Sequence, residues 1–326
     1  MQNLYHYNTT EEINFKISKL ENSSGIRSSR VTFNSPYSTG VIENDRVYSE
    51  FFYSGCPGKD IVILLHGFAS KIEKLQNYYS FIDFLIENSL DCAFIHQPFH
   101  LCRTPEGEKS GERLIYFNDV QTLQFYHQAV VDTRRIIDIA ASTFGYNRMI
   151  LCGFSMGSMV ATITSAVDKR INKTILLLGG GDWFEIHWNS MLAHVLKGNC
   201  IEDGMITKKG CSEIYGDFPE FLKELKKIQM ETGAEIIDPE KFPSLKEKMT
   251  KACFLCDPLA FGHMINPQTV LMISSKLDHY FPRKSAEKLW SEIGKPDIYW
   301  FSKFHSSRIL LNAKVRRLII DFIKKK

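Results

Sequence analysis

The residues with the sharpest chemical meaning are Gly153-Phe154-Ser155-Met156-Gly157, a G-x-S-x-G string. It follows the apolar run Met149-Ile150-Leu151-Cys152 directly and opens a helix-patterned segment, Met156–Val167. In that setting the turn lifts a serine hydroxyl clear of a sheet, and the glycines keep Cβ atoms out of its crowded backbone. A serine hydroxyl is a weak nucleophile and needs a base and an orienting acid. Downstream, Asp278 lies a few residues past the apolar run Thr269–Ile273, and His305 lies past the run Ile298–Phe301. The order Ser, Asp, His is the one this kind of turn requires. Both partners fall in loops after strands, at the carboxyl edge where open α/β sheets build their sites.

A second group supports the first. His66-Gly67-Phe68 ends the run Ile61–Leu65. An N–H from this loop, together with that of the residue after the nucleophile, would hold a developing oxyanion. Phe68 and Met156 are the two expected donors, each worth ~3 kcal/mol of transition-state stabilisation. His66 reads as an anchor of the loop. Asp257, Asp182 and His279 are weaker alternatives for the acid and base, because neither aspartate follows the last-but-one strand and His279 shares a loop with Asp278. His100, Arg103, Trp183 and His187 are candidates for the substrate pocket. Arg103 would hold a carboxylate or phosphate bidentately, or else pair with a loop glutamate such as Glu106.

These residues need a scaffold, and the chain supplies one. Short apolar runs recur at Ile61–His66, Cys92–His96, Met149–Cys152, Thr174–Leu178, Thr269–Ile273 and Ile298–Phe301. Their near-continuous apolar character fits strands buried on both faces of a parallel sheet. Residues 26–35 and 46–54 read as a leading antiparallel pair. Helical periodicity marks 119–144, 156–167, 284–293 and 307–323. Strand–helix alternation on this scale predicts an α/β fold with a mostly parallel central sheet flanked by helices.

One connection is too long. Residues 179–268 separate two successive strands, whereas a crossover needs only about a dozen residues. The excess is expected to carry its own helices, with helical patterning at 183–196, 219–230 and 245–254. The predicted organisation is a core of 1–182 and 263–326, interrupted by a mainly helical cap of 183–262. Trp183, Phe184, Trp188, Met191, Phe254 and Phe261 read at helical spacing as packing residues first, some of which would face the site if the cap covers it and give an apolar acyl or alcohol pocket.

The turn, the oxyanion loop and the Asp278–His305 spacing together resemble the α/β-hydrolase superfamily of serine hydrolases, esterase- or lipase-like with a helical cap. The likeness runs from about Ile61 to the C-terminus. It implies the α/β-hydrolase fold, a Ser155-His305-Asp278 triad, and a cap between the sixth and seventh strands. It also implies hydrolysis of an ester, thioester or amide through an acyl-enzyme on Ser155. The Pro/Gly/His loop Gln97–Glu112 resembles the one that follows the fourth strand in many members. Phe304 and Lys276 stand where many members have glycine. Readings that share the motif are a peptidase or amidase, a C–C hydrolase, an acyltransferase, and a ligand-binding homologue without activity. A nucleophilic aspartate mechanism is disfavoured by serine at the turn.

Composition narrows the rest. The chain has 326 residues, 44% hydrophobic and 24% charged, within the globular range. Forty Lys+Arg against thirty-seven Asp+Glu leave +3. With only short runs such as Lys324-Lys325-Lys326, no basic stripe for nucleic acid is expected. No apolar run approaches the ~20 residues of a membrane span. The polar N-terminus lacks a signal-peptide pattern. The eight cysteines therefore read as reduced thiols in a cytoplasmic protein. Cys253-x-x-Cys256 has no second pair to complete a zinc site. No metal and no cofactor is expected.

Overall fold

The computed structural model describes residues 4–9, 13–20, 26–55, 60–72, 75–196, 207–234 and 238–325. Cys56, Cys200 and Lys326 lie outside them, as do 197–206 and 235–237 of the expected cap.

Nine strands form one sheet in the order β1-β2-β3-β5-β4-β6-β7-β8-β9. They are β1 (Phe15–Lys19), β2 (Ser28–Asn34), β3 (Arg46–Phe52), β4 (Asp60–Leu65), β5 (Asp91–Ile95), β6 (Arg148–Phe154), β7 (Ile171–Leu177), β8 (Val270–Ser275) and β9 (Asp297–Phe301). The pairs β1–β2, β2–β3 and β3–β5 are antiparallel, and from β5 through β4 to β9 every pair is parallel. The six expected central strands and the leading antiparallel pair are all present. The strand β1 was not anticipated. Phe15-Lys16-Ile17-Ser18-Lys19 has little apolar content, Ile17 is half exposed, and a lysine-bearing edge strand leaves a weak hydrophobic signal.

The central parallel strands β4, β5, β6 and β8 are buried on both faces, and alternate side chains go to opposite layers. Ile61, Ile63, Leu65, Leu151 and Met272 join one core cluster; Val62, Leu64, Ile150, Cys152 and Ile273 join the other. Helices α3 (Asp119–Ser142) and α4 (Met156–Val167) cover the first face. Helices α2 (Gln76–Glu87) and α11 (Ala313–Lys324) cover the second. A four-residue turn of helix, α1 (Ile42–Asp45), precedes β3. Helix α3 starts at a reciprocal cap, in which Asn118 Oδ1 accepts from Gln121 N–H and Gln121 Oε1 accepts from Asn118 N–H. Such a cap contributes about 1 kcal/mol.

Helix α2 was missing from the sequence reading. Tyr78, Phe81, Ile82 and Leu85 are buried on one side, at the i, i+3, i+4, i+7 spacing of a core-facing stripe. Tyr79, Phe84 and Ile86 on its flanks are half-buried as well, which blurs the contrast. The expected helix 307–323 is divided: a 3₁₀ turn, Ser307–Leu311, precedes α11. Asn312 makes the break, its Oδ1 capping Lys314 and Val315 N–H.

Between β7 and β8 runs the long insert. It holds α5 (Trp183–Trp188), α6 (Lys208–Gly216), α7 (Phe218–Thr232), α8 (Pro243–Lys248) and α9 (Leu259–Gly262), with 3₁₀ turns at Met191–His194 and Ala252–Cys256. Counted from β2, the insert follows the sixth strand. The expected helix 183–196 stops early, where Ser190 Oγ accepts from Leu192 N–H and starts the 3₁₀ turn. The expected 245–254 is likewise α8 and a separate turn. Helix α10 (Arg283–Glu292) follows β8. No helix among the described residues is long and apolar enough to cross a membrane.

Candidate active site

Strand β6 delivers the turn. Ser155 has φ 57 and ψ −122, a conformation that costs a non-glycine residue on the order of 1–3 kcal/mol. Its N–H donates to Leu177 O on β7 at 2.8 Å, and its C=O accepts from Ser158 N–H at 2.9 Å. The glycines are sterically obligatory. A Cβ on Gly153 would stand 2.2 Å from Gly157 O, and one on Gly157 would stand 2.4 Å from Leu65 O.

Around Ser155 the three separate loops converge. His305 Nε2 lies 2.9 Å from Ser155 Oγ, and His305 Nδ1 lies 2.8 Å from Asp278 Oδ2. A carboxylate only accepts, so Nδ1 carries the proton and Nε2 receives the serine O–H. Asp278 Oδ1 is held by the N–H groups of Tyr280 at 2.9 Å and Phe281 at 2.8 Å. The Phe281 ring stacks on the His305 imidazole at 5.7 Å and 20°. Asp278 and His305 side chains are both more than nine-tenths buried. Such a chain can take the proton from a serine as it attacks and hold the imidazolium that results.

The N–H groups of Phe68 and Met156 donate to no protein group among the described residues. Their loop is braced from behind. Gly67 N–H donates to Tyr78 Oη at 3.2 Å, and Ala69 N–H donates to His100 Nε2 at 3.1 Å. His66 Nε2 accepts from Gln97 N–H at 3.0 Å while its Nδ1–H reaches Gly67 O at 2.8 Å, the anchoring expected of it. Burial holds the His66 imidazole neutral, its pKa well below the usual histidine range. Tyr78 had no signal in the sequence: a tyrosine in an unrecognised helix carries no motif.

A cavity of about 490 Å³ opens on Ser155 and His305. Its walls are mostly apolar: Phe68, Leu114, Phe117, Phe125, Tyr126 and Met159 from the core, with Trp183, Ile186, Leu192, Val195 and Leu196 from the insert. Of the four expected pocket residues, Trp183 alone is in the wall.

His100 stands behind the loop rather than in the cavity. It is wholly buried, its Nδ1–H meets Pro98 O at 2.7 Å, and burial brings its pKa down to about 4. Arg103 is a correction of a firmer kind. It is wholly buried away from the cavity, with Nη2 2.8 Å from Asp132 Oδ2, Nε donating to Asn44 O and Nη1 to His96 O. Its partner is therefore Asp132 on α3, not Glu106, and no fork is left for a substrate. His187 packs on Trp188, ring centroids 4.6 Å apart, and does not line the cavity. Asp182 and Asp257 bind backbone of the insert, not His305. Cys253 and Cys256 are buried and not disulfide-bonded, and no group of side chains suited to a metal occurs among the described residues.

The chain matches the family described as Alpha/beta hydrolase domain containing 18 over residues 6–325. It belongs to that family. A stretch of 72 residues is 33% identical to the uncharacterized protein YdjC of Bacillus subtilis (strain 168), covering 22% of this chain and 62% of that one. The match thus spans less than two thirds of that relative. Among solved structures, acetyl xylan esterase 1 from Thermoanaerobacterium sp. superposes with a TM-score of 0.58 at 13% identity, covering 96% of this chain and 89% of that one. TT1662 from Thermus thermophilus gives 0.54 at 15% identity over 85% and 92% of the two chains. The Pyrococcus furiosus esterase Pf2001 gives 0.52 at 12% over 96% and 92%. These likenesses are of fold, and the family's fold is the α/β-hydrolase fold.

Proposed function

We propose that the protein is a serine hydrolase that cleaves a carboxylic ester or thioester through an acyl-enzyme on Ser155. His305 takes the Ser155 proton as Oγ attacks the carbonyl carbon, and Asp278 keeps the imidazole in the tautomer that can do so. The N–H groups of Phe68 and Met156 hold the oxyanion. The tetrahedral intermediate expels the alcohol or thiol, which leaves with the proton from His305. Water, deprotonated by His305, then attacks the acyl-enzyme and releases the acid. Residues 183–262 act as the cap over this site, and the apolar walls suit an apolar acyl or alcohol chain.

The single observation that carries this reading is the pair of contacts, 2.9 Å and 2.8 Å, that links Ser155 through His305 to Asp278 at the mouth of an apolar cavity. Two uncommitted N–H groups beside the serine support it. The experiment is hydrolysis of p-nitrophenyl acetate together with labelling by a fluorophosphonate. Wild type turns over and labels at Ser155; Ser155→Ala does neither. Equal turnover by Ser155→Ala would exclude the reading.

A further inference from the structure

Asp257 is a wholly buried carboxylate that no cation touches among the described residues. Its compensation is four donors. Oδ1 accepts from Asp182 N–H at 2.9 Å and Leu259 N–H at 3.0 Å; Oδ2 accepts from Trp183 N–H at 2.8 Å and Tyr215 O–H at 3.2 Å. A carboxylate has about four such acceptor sites, so its capacity is filled. Burial, and then the neighbouring Asp182, push its pKa up to about 6.

The donors come from distant parts of the insert. Asp182 and Trp183 are where the chain leaves the sheet edge, Leu259 is where it returns, and Tyr215 is on α6 between them. The two ends are in contact as well: a Cβ on Gly181 would stand 2.8 Å from Leu259 Cδ2 and 3.2 Å from Asp257 Oδ1. The Asp182 carboxylate faces elsewhere, capping Glu185 N–H at 3.0 Å and pairing with Lys288 of α10. The Trp183 indole enters the cavity wall, edge-on to Tyr126 at 5.7 Å and 72°. A bond to the Trp183 backbone thus bears directly on where that indole stands.

We propose that Asp257 is a positioning residue for the substrate cavity: it ties the Trp183 backbone to the returning end of the insert and so sets the chain length that fits opposite Ser155. For its reaction this rests on the serine-hydrolase reading; for its cavity it does not. Asp257→Asn keeps one oxygen for Asp182 and Leu259 but turns an amide toward the N–H of Trp183. Tyr215→Phe removes one donor and leaves the three backbone bonds.

The test compares kcat and KM on p-nitrophenyl decanoate and p-nitrophenyl acetate. It adds equilibrium binding of decanoate, read by displacement of a fluorescent fatty acid, which needs no turnover. Asp257→Asn should lower the decanoate-to-acetate ratio of kcat/KM at least tenfold, through KM. Tyr215→Phe should lower it two- to threefold. A smaller folded fraction lowers both rates alike and cancels in the ratio. Once Trp183→Ala is in place, adding Asp257→Asn should change the ratio less than twofold, because the two act through one wall. An unchanged ratio in a folded variant, or full additivity with Trp183→Ala, overturns the proposal. Where Asp257→Asn does not fold, Tyr215→Phe decides on the same ratio. If wild type neither turns over nor labels, the serine-hydrolase reading fails, and decanoate binding still decides here. A tenfold weaker Kd in Asp257→Asn supports the positioning role; an unchanged Kd, or no binding by wild type, overturns it.

Discussion

Asp278 meets His305 Nδ1 with one oxygen, at 2.8 Å, while its other oxygen is fixed by two backbone N–H groups. That asymmetry decides how Asp278→Asn must fail. The amide oxygen stays on the N–H groups of Tyr280 and Phe281, so the NH₂ group faces His305. The imidazole then accepts at Nδ1 and presents Nε2–H to Ser155, the wrong tautomer for a base. Catalysis of ester hydrolysis should fall ~10⁴-fold in kcat with the fold intact. Steady-state kinetics beside a circular dichroism spectrum measure both. A loss under tenfold would remove Asp278 from the mechanism.

Arg103 and Asp132 form a buried pair remote from the cavity. Arg103→Met leaves the Asp132 carboxylate buried without its cation, which costs about 3–5 kcal/mol. Urea unfolding should show that loss, and Arg103→Met/Asp132→Leu should recover part of it. Selectivity among neutral and anionic esters should stay within twofold. Unchanged stability with a raised KM for anionic esters would restore Arg103 to the substrate.

That Ser155, Asp278 and His305 would come together was legible because each stands at a fixed place: after a strand, in a set chain order. Buried strands were legible for the same reason, since parallel pairing leaves long apolar runs. What the sequence hid depends on packing partners that no local pattern records. Arg103 and His100 share a Pro/Gly-rich loop that looks like a pocket rim, yet Asp132 and the N–H of Ala69 draw them inward. Tyr78 braces the Gly67-Phe68 loop from a helix whose apolar residues surround it. Two expected helices broke at side-chain caps that a periodicity window averages away: one in the insert at Ser190, the other before α11 at Asn312.

Burial also makes the fold acid-sensitive. His96 and His100 are wholly buried, and burial lowers their pKa to about 3 and about 4. Glu50, Arg103 and Arg30 are the charged neighbours of His96; the Arg103 charge lowers both histidines further, and the Arg30 charge lowers His96. At pH 7 both are neutral folded or unfolded. Below ~6.5 the unfolded chain takes up protons that the native state refuses, so stability is lost as pH falls. At pH 5 that amounts to on the order of 2 kcal/mol for each histidine. Asp257 works in the opposite sense, since its raised pKa lets the native state protonate first. Denaturant midpoints at pH 7 and pH 5 should therefore drop, and His100→Gln should shrink the drop. A flat profile would mean that these imidazoles reach water in the native state.

The tightest steric claim concerns Gly157. Its missing Cβ leaves room for Leu65 O and His66 O, which an added Cβ would approach to 2.4 and 2.7 Å. Those atoms are backbone at and just past the end of β4, and they cannot swing aside as a side chain would. Overpacking of this kind costs typically 1–3 kcal/mol, occasionally more, and here it falls between the Ser155 turn and the Gly67-Phe68 loop that we propose holds the oxyanion. Gly157→Ala should consequently lower the unfolding midpoint and separate Phe68 N–H from Met156 N–H. Loss of one oxyanion donor is worth ~10²–10³ in kcat. Folded Gly157→Ala should then lose at least that much turnover per labelled serine, counted by fluorophosphonate titration. Gly210, on α6 far from the sheet, has only Thr207 Oγ1 within reach at 3.6 Å, so Gly210→Ala should leave both stability and turnover within normal scatter. If Gly157→Ala behaved like Gly210→Ala, the close packing of β4 against the turn would be wrong.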